Sequence, residues 1–297
     1  MFKTIINAWK IADLRKKMLF TALIVFIFRL GAALPVPFVN ISGGLISDQN
    51  ANNFMTYLSM MTGDAFNYGT LFAMSITPYI NASIIIELLT VAIPALERLA
   101  KEGEEGRKKI STITRYSSVV LALMQSTAYY FYIRSQNYLS LDADGNKFTG
   151  FFAVLQAITI IFCYTAGASL IMWLGEQINE KGIGNGISII LFAGIVSRMP
   201  TTLYSLYSYM DKGGAYYALA PIAFVSLILM IGFIVWMDNA ERRIPVQYAK
   251  RVVGRKMYGG QSTHIPIKVN MCGVLPIIFA SSILSLPPTI QMFVTVK

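Results

Sequence analysis

The chain has 297 residues, of which 55% are hydrophobic and 13% are charged, whereas about a quarter of the residues of an average soluble domain carry charge. This composition excludes a soluble globular protein and leaves no room for a soluble domain of useful size. The net charge of +10 would suit nucleic-acid binding, but it is segregated by loop, which indicates a topology signal with anionic lipid as a second cause.

The histidine and cysteine content argues against catalysis. His264 is the single histidine and lies in a polar loop, while Cys163 and Cys272 lie in separate apolar stretches. A membrane-embedded nucleophile with a histidine base needs a histidine in a span, and hydrolytic zinc chemistry needs several converging ligands. We therefore predict that the protein is not an enzyme and has no structural disulfide.

Seven apolar stretches predict membrane-spanning helices. A helix needs about 20 apolar residues to cross a hydrocarbon core about 30 Å thick, and five stretches meet this length. The third is polar in its first turn, and the fifth is short and spans only if the glycine-rich run before it also enters the membrane. We predict an all-α, polytopic membrane helix bundle, one domain over residues 1–297, with spans at 18–37, 71–93, 113–133, 151–174, 187–199, 218–237 and 271–296.

Positive charge alternates from loop to loop and predicts the orientation. Nineteen of the 25 Lys and Arg residues fall in the N-terminal tail and in the loops after the second, fourth and sixth spans, and five fall in the other loops. The positive-inside rule places the N-terminal 17 or so residues in the cytoplasm, as an amphipathic surface helix or a charged tail. The remaining charge, Arg29, either snorkels or faces protein or a water-filled cavity.

A short helix is predicted at residues 52–62, between the first two spans. Its apolar residues share one face, and Gly63 is suited to the C′ position. The segment is too short to span, so it is either an external interfacial helix, which the pattern favours, or a re-entrant helix buried in the protein. The residues on the shared face are Phe54, Tyr57, Leu58 and Met61.

The second span and the loop after it carry polar groups with several interpretations. Pro78, Asn81 and Glu87 are typical of a helix that faces a cavity or other helices, or of a kinked packing helix with Asn81 bonded across an interface. The mixed-charge residues 97–115 predict a solvated hairpin loop.

Two further loops are distinctive. Gly182, Gly184 and Gly186 alternate with other residues, which disfavours a helix and allows a tight re-entry into the membrane. No strand or P-loop lysine accompanies them, so a phosphate site is not indicated. The long basic loop 238–268 suits docking on an RNA or acidic protein surface, or on lipid headgroups.

Four sequence segments are distinctive: ITPYINASIIIELLTV (76–91), EGRKKISTITRY (105–116), MWLGEQINEKGIGNGISIILFAGIV (172–196) and QSTHIPIKVNMCGVLPIIFASSI (261–283). They resemble the SecY family, the channel subunits of the bacterial protein translocase, and the resemblance continues in order along the whole chain. It implies a SecY-type channel fold: an hourglass pore of ten spans in two halves, which opens across the membrane for secreted chains and sideways into lipid. By this resemblance the chain is truncated after the seventh span, and three C-terminal spans are absent.

The resemblance also implies site residues. An apolar ring would form the waist of the pore, and residues 52–63 would be a plug helix that seals the external funnel. The ring positions are Ile80, Ile84, Ile187, Leu191 and Ile278; the plug positions are Asn53, Phe54, Tyr57, Leu58 and Met61; the lateral-gate positions are Glu87 and Asn270. Within each helix the ring pairs are spaced i, i+4 and share a face.

Partners follow from the same resemblance. The small membrane subunits SecE and SecG, the motor ATPase SecA, the ribosome, secretory polypeptides and membrane lipids are expected, at a bacterial cytoplasmic membrane. The basic docking residues would be Arg107, Lys108, Arg242, Arg243, Lys250, Arg251, Arg255 and Lys256. Glu87 departs from the family, where glutamine is expected. The alternative function is a secondary transporter of a small solute, which also uses broken helices and midplane polar groups.

Overall fold

The computed structural model of the protein describes residues 9–41, 43–45, 56, 59–60, 62–140, 150–211, 216–246, 251–253, 256–258, 263–270, 280 and 284. The chain divides into two compact units. The first comprises Met1–Pro200 with Ser282–Lys297, and the second comprises Thr201–Ser281. This division does not test the expectation of a single channel domain, which stays a prediction.

The described chain is mostly helical, as predicted. The helices are α1 (Ala12–Ala33), α2 (Thr77–Ala92), α3 (Pro94–Lys101), α4 (Glu104–Ser135), α5 (Phe151–Lys181), α6 (Gly186–Ser197), α7 (Met199–Asp211) and α8 (Tyr216–Asp238). Four short strands follow in the second unit: β1 (Glu241–Val246), β2 (Arg251–Val253), β3 (Lys256–Tyr258) and β4 (Thr263–Lys268).

Three helices in the described part of the chain are long and apolar enough to cross a membrane. They are Phe151–Lys181, Gly186–Asp211 and Leu219–Asp238, and a fourth is added if α2 and α3, bent by 101°, form one broken span. In α1, the Arg15–Lys17 cluster and Arg29 interrupt the apolar run, and the first turns of α4 are charged. The seventh predicted span lies outside the described residues apart from Ala280 and Leu284.

Several predicted boundaries were wrong. Residues 71–76 form turns, and helix α2 begins only at Thr77, after Ser75 in a left-handed conformation with φ of 47°. The predicted loop at 97–115 is mostly helical, with Gly103 between α3 and α4. Residues 12–17 belong to the long helix α1 and not to a separate surface helix, while residues 1–8 lie outside the described part.

The fifth predicted span is extended at its C-terminal end, whereas an extension at its N-terminal end was expected. The glycine-rich run forms a turn before α6, and the helix begins at Gly186. The extra length comes from α7, which follows α6 after Arg198 and completes a 26-residue apolar helix. Pro200 lies in the first turn of α7, where a proline leaves the hydrogen bonds of that helix intact.

The core of the first unit contains two apolar clusters joined by one irregular segment. This returning segment, residues 62–76, has turn conformation almost throughout and is mostly buried. Its Phe66 belongs to the cluster that contains Tyr129 and Tyr164, and its Phe72 belongs to the cluster formed with α1, α5 and α6. Non-helical backbone is tolerated at membrane depth when it is buried in protein, so the segment needs hydrogen-bond partners.

Two buried tyrosines supply part of this hydrogen bonding. The hydroxyl of Tyr129 on α4 donates to the carbonyl oxygen of Phe66 at 2.5 Å, and that of Tyr164 on α5 donates to the carbonyl oxygen of Gly69 at 3.0 Å. The two rings contact each other edge to face. Each tyrosine therefore joins the returning segment to a membrane helix.

We expect Tyr129→Phe to destabilise the first unit by about 1 kcal/mol, because the buried carbonyl of Phe66 loses this hydrogen bond and keeps the longer one from the Gly69 nitrogen at 3.3 Å. Tyr164→Phe should have a similar effect at Gly69. Thermal unfolding of the purified protein in detergent measures this loss. The matched control is Tyr116→Phe on the same helix α4, where the side chain is 73% exposed and should tolerate the change. Equal melting temperatures for Tyr129→Phe and Tyr116→Phe would contradict the assigned role.

Close helix packing depends on glycine at the crossing of α5 with the returning segment. A Cβ atom at Gly167 would overlap the backbone carbonyl of Leu71, and one at Gly186 would overlap the carbonyl of Gly175. No side chain fits at either position without moving backbone. Gly167 therefore allows α5 to approach the returning segment closely, and Gly186 allows the start of α6 to approach α5 closely.

The basic loop of the second unit adds β-structure to a helical fold. Strands β1 and β4 pair in antiparallel orientation from Glu241↔Lys268 to Val246↔Thr263, and β2 pairs with β3. Side chains directly opposite each other in such a ribbon lie on the same face. One face therefore carries Glu241, Arg243, His264 and Lys268, and the other carries Arg242 with exposed Ile244, Ile265 and Ile267.

Candidate functional site

The predicted waist positions of the first unit lie on two helices, and three of the four described ones pack against the same apolar cluster. On α2, Ile84 is buried and Ile80 packs at the edge of the cluster formed by α1, α5 and α6. On α6, Ile187 and Leu191 pack at the edge of the same cluster. Ile278 lies outside the described residues. All four described side chains are hydrocarbon, so they offer no hydrogen bond to water or to a passing chain.

Polar groups at the start of α6 fix the position of its waist residues. The Asn185 side chain accepts hydrogen bonds from the backbone nitrogens of Ile187 (3.0 Å) and Ser188 (3.3 Å), as an N-cap does. Asn179 on α5 accepts from the nitrogen of Gly186 at 2.7 Å. Sequence reasoning missed this role of Asn185, although an asparagine before an apolar run is the usual signal.

The glycine-rich turn is also joined to α1. The Thr21 hydroxyl accepts a hydrogen bond from the nitrogen of Ile183 at 3.2 Å and donates to the carbonyl oxygen of Lys17. Gly184 has a φ of 72°, which favours glycine. The prediction that these glycines interrupt the helix is confirmed, and the turn forms an anchored connection between α5 and α6; the predicted re-entry into the membrane stays a prediction.

The polar residues of α2 separate into two groups. Pro78 and Asn81 are buried, as expected of groups that face other helices. Glu87 is exposed on the first unit, among exposed Ile85, Leu88 and Val91. The other proposed gate residue, Asn270, is exposed in the second unit. Glu87 is therefore available at the surface of the first unit.

The plug positions Asn53, Phe54, Tyr57, Leu58 and Met61 all lie outside the described residues. The neighbouring Ser59 and Thr62 are buried at 2% exposure each, which favours burial in the protein over the interfacial location at this end of the segment. Gly63 has a φ of 63°, so its predicted left-handed conformation is confirmed. Arg29 reaches this point, since its Nη1 atom lies 3.5 Å from the carbonyl oxygen of Gly63.

An ion pair that the sequence did not reveal lies next to Gly63. The Asp64 Oδ2 atom is 2.8 Å from Nε of Arg198, and its Oδ1 atom accepts a hydrogen bond from the Ser59 hydroxyl at 2.9 Å. The partners are 134 positions apart in the chain, so spacing alone gives no signal for them.

The two basic surfaces differ in how far acidic residues neutralise them. Around α3 and α4, ion pairs join Lys101 to Glu97, Lys108 to Glu104 and Lys109 to Glu102. In the ribbon, Glu241 lies opposite Lys268, and Arg242 and Arg243 are exposed. Arg251 and Lys256 lie in β2 and β3, and Lys250 and Arg255 lie outside the described residues. Over its whole length, the loop at residues 238–268 therefore carries more net positive charge than residues 97–115.

Among the described residues, no group of three or more His, Cys, Asp or Glu side chains could hold a metal ion. The side chains at the predicted waist positions are instead apolar and pack between helices.

Comparison with protein families and curated proteins gives one consistent result. The family model described as SecY matches residues 70–297. The protein translocase subunit SecY of Streptomyces scabiei is 42% identical over 296 residues, covering 99% of this chain and 68% of the relative. That of Corynebacterium glutamicum is 44% identical over 299 residues, covering 98% of this chain and 65% of the relative.

Solved structures share the fold. A SecY structure concerned with its plug domain matches with a TM-score of 0.64 at 16% identity, covering 97% of this chain and 60% of that one. Sec61 in the canine ribosome-channel complex matches with a TM-score of 0.62 at 19% identity, covering 96% and 59%. The chain thus spans about two thirds of these relatives' length and about three fifths of these channels.

Proposed function

Because the chain belongs to the SecY family of protein translocase subunits, we propose that it acts as the central subunit of a protein-conducting channel. The channel moves secretory proteins across the cytoplasmic membrane and releases membrane proteins into it, with signal-sequence binding at a lateral gate. The observation that carries the proposal is that Ile80 from α2 and Ile187 and Leu191 from α6 pack against one apolar cluster, with Ile84 buried on the same helix as Ile80. The alternative of a small-solute transporter is not supported, because the relatives are named as translocase subunits.

An apolar waist suits this function for two physical reasons. A ring without hydrogen-bonding groups cannot prefer one substrate sequence, so it passes chains of any sequence. A narrow hydrocarbon constriction also dewets, which limits ion leakage when no chain is present. Ile278, which lies outside the described residues, completes the proposed ring from the seventh span.

The same proposal assigns residues to the lateral gate and to the plug. Glu87 and Asn270 line the lateral gate, and the exposed position of Glu87 on α2 supports its access to an entering segment. Residues 52–63 form the plug. The plug domain of a related SecY stabilises the closed state of its channel and maintains a membrane seal, and we assign the same role here.

Cytoplasmic partners dock on the basic loops. Sec61 is found in a ribosome-channel complex, and the ribbon with Arg242 and Arg243 would contact ribosomal RNA or the motor ATPase SecA. SecE and SecG would complete the membrane complex. The location is the bacterial cytoplasmic membrane with a cytoplasmic N-terminus, which the loop-by-loop distribution of Lys and Arg supports.

Photo-crosslinking tests the proposed path. A photoreactive amino acid at Ile187 or Ile84 should crosslink to a secretory polypeptide stalled during translocation, because both side chains belong to the waist. The control position is Phe162 on α5, where the side chain is 61% exposed and outside the waist cluster. Crosslinks of equal yield at all three positions, or at Phe162 alone, would overturn the assignment of the path.

A further inference from the structure

An ion pair connects the two elements that carry the waist residues. Asp64 lies in the returning segment, which leads directly into α2 with Ile80 and Ile84. Arg198 is the C-cap residue of α6, which carries Ile187 and Leu191. The distance between Asp64 Oδ2 and Arg198 Nε is 2.8 Å. This contact therefore joins the segment that precedes α2 directly to the C-terminal end of α6.

The pair is partly withdrawn from solvent. The Arg198 and Asp64 side chains are 28% and 21% exposed, whereas in the pair of Lys101 with Glu97 they are 75% and 49% exposed. Exposed ion pairs contribute little, but removing one partner of a more buried pair leaves an uncompensated charge. The contact between Asp64 and Arg198 is therefore expected to matter more than the surface pairs of α3 and α4.

The backbone around Asp64 is shaped to make this contact. Gly63 and Asp64 both have positive φ, of 63° and 70°. Aspartate and asparagine tolerate this conformation better than most residues. A Cβ atom at Gly63 would lie 2.8 Å from the carbonyl oxygen of Gly194 and 2.7 Å from the Ser197 hydroxyl, so the segment touches the last turn of α6.

Two further polar side chains contact Gly63 and Asp64. The Ser59 hydroxyl donates to Asp64 Oδ1, and Arg29 on α1 approaches the carbonyl oxygen of Gly63. The side chain of Asp64 thus accepts from one side and pairs with a cation on the other. These contacts stabilise the left-handed backbone conformation of Asp64, which is energetically unfavourable by itself.

We propose that Asp64 and Arg198 are positioning residues whose ion pair is a releasable tie that keeps the resting channel closed. The inference rests on the proposed channel function and adds a pair of residues that controls it. A polypeptide can pass only when the waist widens, and widening moves α6 away from the segment that leads into α2. The tie is made in the closed state alone, so it lowers the free energy of that state relative to the open one.

Resting ion conductance tests the tie. The channel complex containing this chain is reconstituted into planar bilayers without a translocation substrate. Asp64→Asn, which keeps a residue suited to the left-handed conformation, should raise the resting open-to-closed ratio about tenfold, which corresponds to about 1.4 kcal/mol. Arg198→Gln should do the same. Since both changes remove one interaction, the double variant should leak no more than either single variant.

Two further variants separate the tie from general damage. Arg198→Lys retains a cation and should remain close to the unchanged channel. Lys101→Gln breaks the exposed pair with Glu97 and should leave the conductance unaltered. Additive effects of Asp64→Asn and Arg198→Gln would overturn the proposal, because they would show that the two residues act independently.

Hydrogen exchange distinguishes failure of the tie from failure of the channel. Backbone amides of residues 62–76 should exchange faster in Asp64→Asn, because the segment loses an anchor. If Ile84→Asp leaks while Asp64→Asn changes neither conductance nor exchange, the tie is wrong and the channel stands. If hydrogen exchange of residues 62–76 rises but no variant, including Ile84→Asp, increases the conductance, the ion pair stabilises this segment without closing a channel. In that case the proposed channel function fails as well.

Discussion

Replacing Ile84 by aspartate should raise the ion conductance of the resting channel at least tenfold. Ile84 is buried on α2 and belongs to the proposed waist. A carboxylate at this position binds water and cations, so the constriction wets where a hydrocarbon ring dewets. Ile187→Asp should act in the same way from α6. Single-channel recording in planar bilayers, with no substrate present, measures the change.

Isosteric and polar variants control for structural damage in the first experiment. Ile84→Leu conserves volume and hydrocarbon character and should leave the conductance close to that of the unchanged channel. Ile84→Asn adds polarity without charge and should leak less than Ile84→Asp. Purified complexes must contain the same subunits in equal amounts. If the aspartate variants assemble fully but conduct no more than Ile84→Leu, these residues do not line the pore.

Reversing the charge of Arg243 should weaken ribosome binding about tenfold, and more than reversing Arg242. The two arginines are neighbours on β1 but lie on opposite faces of the ribbon. Arg243 shares its face with His264, Lys268 and Glu241. Arg242 shares its face with three exposed isoleucines. A hydrated, phosphate-rich surface is expected to contact the polar face, which is that of Arg243.

Salt dependence identifies the nature of this contact. Each phosphate contact contributes a slope of about −0.9 to log affinity against log salt on duplex DNA and about −0.7 on single strands. Arg243→Glu should flatten the slope by about one such contact, measured by co-sedimentation of ribosomes with reconstituted membranes over a salt series. Arg242→Glu carries the same change in charge on the other face. Equal losses for both variants would indicate non-specific attraction, and an unchanged slope would leave the ribbon as a surface for the motor or for lipid.

The sequence was a good guide where physical chemistry acts over a few residues. Apolar runs located the long helices α5 and α8, and the glycines before α6 marked a turn because they disfavour a helix. The helical character of residues 104–112 was missed, although Glu104 and Lys108 stand at the i, i+4 spacing that stabilises helices beyond the membrane. The apolar length required to cross a membrane does not predict this helix, because its first turns are charged.

Long-range contacts could not be predicted from one sequence. Nothing near Asp64 indicates Arg198, and nothing near Tyr129 indicates the carbonyl group of Phe66. The returning segment also lacks periodicity, because its conformation is fixed by tyrosine hydroxyls and close glycine packing from α4 and α5. The waist positions came from resemblance to a family, since apolar residues that line a pore and those that pack a core have the same chemistry.

The two prolines of the β1–β4 ribbon restrict how a partner can recognise it. Pro245 lies opposite His264 and Pro266 lies opposite Arg243, so both occupy the alternate pairs whose backbone groups point away from the ribbon. Each outer edge therefore lacks one N–H donor, and a partner strand cannot extend the ribbon with a regular ladder. Recognition of this ribbon must therefore depend on side chains, and the missing N–H donors also disfavour edge-to-edge pairing between neighbouring channels.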